Sequence, residues 1–433
     1  MATSDTTLAG VRARMREDWN ARASEDAHYY VAFGRRNQSG EEFFDTAREQ
    51  VRGLMLEMRR LPAARVRARR ALEIGCGPGR LMKPLLAAFG EIHGVDISDQ
   101  MIERARENLV GIPHAHAHHA PNSNLEAFAD ESFDFVYSYA VFQHIPSREV
   151  VMGYLDEAAR VLKPGGVIRV QINGLPHTAR VYDTWSGVRI SAEEVRAWAR
   201  AAGLQLLALE GVGTQYMWAT FRKPLGQVAE GGAVRIRRVT NAHSSEPAAP
   251  VRGRFAALSL WVEGLPEEAD LNGMEVRVCG AASTLTYLGP SEFDGIRQLN
   301  LLLPEGLATG LGPVELSMPG VGEPACALVR LISPGPPVPR VLSVTDGIDL
   351  LSGSRIVTGT VKAVLEEVEQ PELLRASVGG CAVESLDHFC TDPRLPRYEV
   401  NFDVPAVVAS GSASVRIELG ERALGEFPVE VFR

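Results

Sequence analysis

The residues best suited to chemistry sit in two short stretches of the first half of the chain. In "LEIGCGPGR" (residues 72–80) an apolar run ends at Ile74 and gives way to Gly75, Gly77 and Gly79, with the acidic Glu73 just before the turn. A strand, a glycine-rich turn and a helix in succession place backbone N–H groups beneath a ligand at a helix N-terminus. Arg80 stands where a dinucleotide fingerprint would have its third glycine. A carboxylate at Glu73 is unfavourable beside a pyrophosphate but compatible with a ligand carrying a protonated amine and a sulfonium. Asp96 closes the next apolar run, 21 residues after Gly75, where a carboxylate can accept hydrogen bonds from both hydroxyls of a nucleoside ribose. The other use for Asp96 is to cap the helix "DQMIERAREN", a task open equally to Ser98 and Asp99.

The second stretch, "YSYAVFQHIP" (residues 137–146), follows a strand-like run and offers Tyr139, Phe142, Gln143 and His144. His144 is the one group there whose ordinary pKa lies near neutrality, which suits a general base; the alternative is a brace for the helix after Pro146. Gln143 can orient an acceptor but cannot take its proton. The run "HAHAHHA" (residues 114–120) puts His114, His116 and His118 on one strand face, a spacing that rarely closes a tetrahedral site without help from elsewhere. It is read as a strand near a sheet edge with partly exposed histidines, and no metal is expected.

The elements that must position these residues alternate up to about Lys223. Strand candidates are "ALEIG", "IHGVD", "FDFVYS", "VIRVQI", "LQLLALEG" and "TQYMWATF". Between them, "RLMKPLLAAFG", "DQMIERARENL", "SREVVMGYLDEAARVL" and "SAEEVRAWARAAG" have helical periodicity, the last opening on a capping box from Ser191 to Glu194. Such alternation demands a largely parallel sheet with helices on both faces, an α/β doubly wound fold. The expected divisions are an N-terminal helical cap over residues 1–60, the α/β domain over 61–223, and β-domains over 224–338 and 339–433.

"LEIGCGPGR", "GVDIS", "ADESFDFVYSYAVFQHIP" and "LKPGGVIRVQI" occur in the order of the motifs of the Rossmann-like S-adenosylmethionine-dependent methyltransferases, which residues 40–223 resemble. The resemblance implies a seven-stranded sheet with "TQYMWATF" inserted antiparallel. It also implies that Glu73, Gly75, Cys76, Gly77 and Gly79 face the methionine part of the donor and that Asp96 holds the ribose. Ile97 and Leu125 would sandwich the adenine near Met101, Asn122 and Ser123; ordinary core is the alternative for Ile97 and Leu125. Tyr139, Gln143 and His144 would serve catalysis, with Phe142, His177, Tyr182 and Trp185 lining the acceptor space. The segment "WNARASEDAHYYVAFGRR" supplies Trp19, Tyr29 and Tyr30 for a lid over the donor, or for packing at the sheet edge. The implied reaction moves a methyl group to a small-molecule acceptor, a hydroxyl of a sugar, lipid precursor or secondary metabolite first. An amine or protein nitrogen is the alternative, as is a non-catalytic adaptor that binds the donor. A dehydrogenase is disfavoured by Arg80 and Glu73. Base methylation of nucleic acid is disfavoured because the fourth strand ends in "SYAV" and not in an Asn/Asp-Pro-Pro-aromatic loop.

After "FRKPLGQVAEGG" helical periods fade, and short strands between Pro, Gly and Asn take over. Residues 297–318 lie over 397–419 so that Asn300 meets Asn401, Pro304 meets Pro405, Gly310 meets Gly411 and Val314 meets Val415. A repeat of this length is a duplicated β-domain, joined through "SPGPPVPR". The copies resemble bacterial immunoglobulin-like modules of the transcription-factor type, which implies sandwiches that space, dimerise or hold a glycan or protein partner.

Gross composition agrees with a globular, cytoplasmic chain. Of 433 residues 45% are hydrophobic and 23% charged, no apolar run reaches membrane-spanning length, and the start lacks a secretory core. The net charge of −9 divides unevenly: residues 1–223 carry 28 basic and 27 acidic side chains, residues 224–433 carry 17 and 27. Neither half has the positive surplus of a nucleic-acid binder, and the acidic half argues against anionic surfaces. Five scattered cysteines form neither a disulfide framework nor a C-x-x-C pair.

Overall fold

The computed structural model describes residues 7–432 apart from 33–35, 178–181, 227–232, 254, 292–294, 320–321, 349–352 and 393–394. The chain divides into two compact units: Met1–Ser24 with Phe44–Pro334, and Glu25–Phe43 with Gly335–Arg433.

In the first unit, β1 (Arg70–Ile74), β2 (Glu91–Asp96), β3 (Ala115–His119), β4 (Phe133–Ser138), β5 (Leu162–Ile172), β6 (Gln205–Glu210) and β7 (Met217–Arg222) lie in the order β3-β2-β1-β4-β5-β7-β6. The first five are mutually parallel, and β7 runs antiparallel to both its neighbours. The central strands are apolar on both faces because both are covered. On one face Leu72, Ile74 and Val136 pack with Val151 and Leu155 of α6 (Arg148–Val161), with Trp198 of α7 (Ala192–Ala201), and with Met15 of α1 (Leu8–Val31). On the other, Ala71, Phe135 and Tyr137 meet α3 (Arg48–Glu57), α4 (Met82–Leu85) and Ile102 of α5 (Asp99–Asn108). The short α2 (Gly40–Asp45) precedes α3. Serines fix three helix starts: Ser98, Ser147 and Ser191 accept the N–H groups of Met101, Val150 and Glu194, and Glu194 completes a capping box.

The sheet does not stop at seven strands. The edge strand β6 is continued antiparallel by β13 (Thr284–Leu288), with Tyr287 opposite Ala208. Next come β14 (Ile296–Leu302), β10 (Ala257–Glu263) and β8 (Arg235–Asn241), making eleven strands in all. The junction is tied at several points. Leu271 N–H donates to Leu206 O, Leu206 N–H to Asp270, and Arg60 reaches Leu288 O at 2.6 Å while paired with Glu57. A second sheet, β12 (Ala281–Ala282), β11 (Glu275–Val278), β15 (Gly310–Ser317), β16 (Ala325–Ile332) and β9 (Ala248–Pro250), packs against the first through Val276, Val314 and Leu316.

The second unit repeats that arrangement strand for strand. β17 (Arg340–Asp346), β19 (Thr360–Glu366), β23 (Arg397–Asp403) and β22 (Asp387–Asp392) form one sheet. The other runs β18 (Arg355–Ile356), β25 (Arg422–Val431), β24 (Gly411–Leu419), β20 (Leu374–Val378) and β21 (Cys381–Ala382). Backbone oddities recur with the strands: Gly310 and Gly411 have φ of 139° and 129°, and Gly280 and Gly380 have φ of 81° and 80°. Both glycine pairs hold conformations that a Cβ disfavours. Asn241 and Asp346 end the first strands; Asn241 accepts the N–H groups of His243 and Ser244 in the following loop, and Asp346 those of Ile348 and, beyond β18, of Val357 and Thr358.

Candidate functional site

The glycine turn follows β1 directly. Gly75, Gly77 and Gly79 have φ of 73°, 50° and 81°, and the N–H groups of Gly75 and Cys76 both donate to Val95 O. The turn is tight: a Cβ on Gly75 would lie 2.3 Å from Val141. Asp96 does not cap α5, since Ser98 does. Its carboxylate accepts the N–H of Gly77 at 2.9 Å and of Ser98 at 2.9 Å. Burial pushes the Asp96 carboxyl up, and the N–H groups of Ser98, Gly77 and Ile97 together with His119 oppose the shift. The carboxylate keeps acceptor capacity beside the turn, which is what the donating hydroxyls of a ribose require.

Glu73 is 3% exposed. Burial pushes its carboxyl up to about 8, against the Tyr137 hydroxyl, which donates to it at 3.0 Å, and the charge of Arg80. Arg80 is itself buried, donates to Thr46 and lies over the ring of Tyr139. At neutral pH this carboxyl therefore binds a proton until a cation replaces it, which suits the ammonium of an amino-acid ligand. Cys76 is buried and its thiol is pushed up by burial, so it fills space and is no nucleophile.

Ile97, Met101 and Leu125 are 7%, 1% and 1% exposed. Ser123 is buried at φ 52°, whereas Asn122 is exposed. Tyr139 packs with Gln50, Arg80 and Trp218 and shares no partner with His144, so the structure does not gather Tyr139, Gln143 and His144 into one cluster. Phe142 cannot line an open acceptor space, because it is 1% exposed and stacked on Tyr154. His177 is turned away to Glu194 at 3.0 Å, where the α7 capping carboxylate attracts it. Tyr182 packs against the first-face core; loop residues 178–181 lie outside the described residues. Tyr29 and Tyr30 belong to the second unit, where Tyr29 is buried and the Tyr30 hydroxyl donates to Glu25 at 2.8 Å.

His144 does form a site, with Trp19 and Trp185, both expected from the sequence, and with Arg22, Thr184 and Asp18, which were not. Its ring stands edge-on to Trp19 at 5.5 Å and 6.4 Å from Trp185. The Arg22 guanidinium lies over both tryptophans, at 4.6 and 5.3 Å, and donates to the carbonyl and hydroxyl of Thr184; that hydroxyl donates to Asp18. Asn20 accepts the Ser98 hydroxyl and donates to Asp99. One stretch of α1 thus touches both the start of α5 behind Asp96 and the loop after β5. The available signal was the polar-aromatic spacing Asp18, Trp19, Asn20, Arg22 on one helix, of which the sequence singles out Trp19 alone.

Burial, reinforced by Arg22, lowers the His144 pKa to about 4, overturning the expectation of a group that titrates near neutrality. Nε2 lies 3.3 Å from the Gln143 amide, the backbone of Thr184 and Trp185 faces the ring and opposes the fall in its pKa, and Gln143 Oε1 is buried with no hydrogen-bond partner among the described residues. With Nε2 accepting from Gln143, Nδ1 carries the proton, the tautomer that the neighbouring backbone acceptors of Thr184 and Trp185 favour. The Gln143 amide oxygen is the hydrogen-bonding capacity that the described residues leave unsatisfied.

Residues 72–170 match the family described as methyltransferase domain. The chain is 29% identical to a ubiquinone biosynthesis O-methyltransferase of Methylococcus capsulatus, over 34% of this chain and 67% of that protein. It is 34% identical to a trans-aconitate 2-methyltransferase of Rhodopseudomonas palustris, over 24% of this chain and 38% of the relative. A solved S-adenosylmethionine-dependent methyltransferase from Aquifex aeolicus is 15% identical, with 40% of this chain and 96% of that one covered at a TM-score of 0.30. The chain spans 26%, 38% and 67% of the first three curated relatives. Residues 72–170 are thus a methyltransferase domain of the S-adenosylmethionine-dependent kind.

Proposed function

We propose that the chain methylates a small-molecule acceptor, at a hydroxyl before an amine, using S-adenosylmethionine. The donor supplies an electrophilic methyl group already activated by the sulfonium charge, so the protein's tasks are alignment and a place for the acceptor's proton. Asp96 would accept the ribose hydroxyls, the Gly75–Gly79 turn would lie under the amino-acid end, and Glu73 would face the ammonium. The observation that carries the acceptor side is the buried, unsatisfied amide oxygen of Gln143 next to His144, Trp19 and Trp185. A hydroxyl or amine held there would donate to that oxygen, and the tryptophans would pack its apolar part. A histidine lowered to about 4 is a weak base, so an acidic hydroxyl such as a phenol suits it better than an alkanol. That preference accords with a relative named for ubiquinone biosynthesis. The two β-copies are proposed as immunoglobulin-like modules that space or hold a partner.

The test is calorimetry with S-adenosylhomocysteine followed by turnover on a panel of phenols, alkanols and amines. Asp96→Ala should weaken donor binding by about 100-fold or more, the loss of two charge-assisted hydrogen bonds. His144→Ala should lower kcat with donor affinity unchanged. Uptake of a dinucleotide with no affinity for either sulfur compound would remove the proposal; donor binding with no turnover on any class would leave an adaptor.

A further inference from the structure

We propose that Glu91, His93 and His116 form a binding site for one divalent transition-metal ion, zinc before the others, that ties the edge strand β3 to β2. Among the described residues these three are the group whose ligand atoms converge, all within 4.8 Å of one another. The parallel register sets His93 beside His116 and leaves Glu91 two residues earlier on the same face of β2. The histidine run alone lacks a third ligand; the neighbouring strand supplies two.

The carboxylate-to-imidazole spacings are close to what a small tetrahedral ion needs, and the widest spacing in the group, 4.8 Å, would have to close on binding. His93 Nε2 and His116 Nε2 stand 3.0 and 3.4 Å from Glu91 Oε1. Bonds of about 2.0 Å in a tetrahedron put ligand atoms about 3.3 Å apart. His93 Nδ1 is 3.0 Å from His118 Nε2. Donation along that contact holds the proton on Nδ1 and turns the Nε2 lone pair toward Glu91, the outer-shell arrangement usual for a ligating histidine. Two imidazoles and one carboxylate, with the fourth position open to water, favour zinc over calcium or magnesium. Arg70 is the competitor: Nε holds Glu91 Oε2 at 2.6 Å and Nη2 lies 3.0 Å from His93 Nε2. Its side chain is 34% exposed and can swing aside while Nε keeps the second carboxylate oxygen. The ligands lie toward the start of β2, whereas Asp96 ends it, roughly 17 Å from Glu91 and roughly 10 Å from His93 at strand rise. The ion would therefore brace the sheet edge and take no part in group transfer.

The experiment is titration of the chelator-treated, desalted full chain with Zn²⁺ in a calorimeter, and with Co²⁺ followed by visible absorption. One equivalent at micromolar affinity, an intense tetrahedral cobalt band and a zinc-dependent rise in Tm are expected. Glu91→Gln and His116→Gln should each weaken zinc by about tenfold or more, with the metal-free Tm retained. His114→Ala, an exposed neighbour in the same run, should leave affinity unchanged, and Arg70→Met should tighten it. Absence of binding at micromolar metal, or equal losses in His114→Ala and His116→Gln, would overturn the site.

Discussion

β13 and β22 are the same strand in two copies of one fold, yet among the described residues only β13 of the two pairs with a strand from outside its own copy. In the first copy Leu285 and Leu288 are 4% and 0% exposed, and the strand pairs with β6. In the second copy the strand reads "DHFCTD", with Asp387, His388 and Phe389 exposed. Leu288 lies opposite Leu299, and His388 opposite the equivalent Val400. Topology is shared while side chains decide what an edge becomes: an apolar edge invites pairing, a charged one repels it. The cores follow suit, since the first copy shares one hydrophobic cluster with the catalytic sheet and the second has a separate cluster.

The strongest way to break this comparison is to exchange edge character. Leu288→Asp should cost about 4 kcal/mol in chemical denaturation, whereas His388→Asp should stay within about 0.5 kcal/mol. Equal losses would mean that β13 owes its burial to something other than pairing. Next comes the clamp unique to the first copy. Arg60→Met leaves the buried Glu57 carboxylate only its 4.0 Å contact with Arg169 and frees the Leu288 carbonyl, at a cost of about 3 kcal/mol. The shared device should behave alike in both copies: Asn241→Ala and Asp346→Ala each remove loop hydrogen bonds and should cost about 2 kcal/mol by denaturant melts. The smallest effect concerns pH. The buried Glu73 carboxyl has a pKa raised to about 8, so folding takes up a proton; stability is full below about 4.5 and falls as pH rises toward 8. From pH 7 to 8 the first unit should lose about 1 kcal/mol, and a Tm series should show Glu73→Gln erasing that slope without touching the second unit.

The strand order of the catalytic sheet was legible because buried parallel strands write themselves as apolar runs between helical periods. The 101-residue offset of Gly310 and Gly411 was legible because positive φ leaves glycine little competition. The continuation of β6 into β13 was not, since one cross-strand pair, Tyr287 with Ala208, joins residues far apart in sequence and carries no local period. At the site, Asp96 and the glycine turn could be found because local spacing fixes them. Arg22, Thr184 and Asp18 could not, because they meet only once α1 lies against the loop after β5. His144 shows a further limit: its position was visible, but its pKa is set by burial and by Arg22, which no motif records.

The shared ladder between β6 and β13 bears on how this protein can be cut. Ending the chain near Lys223, where helical periodicity fades, would strip the cover from "QLLALE", a strand whose first five residues are all buried. A fragment so truncated would present a sticky border to its own copies and should precipitate or oligomerise. One that ends after Ile332 keeps its neighbour strands and should stay in solution.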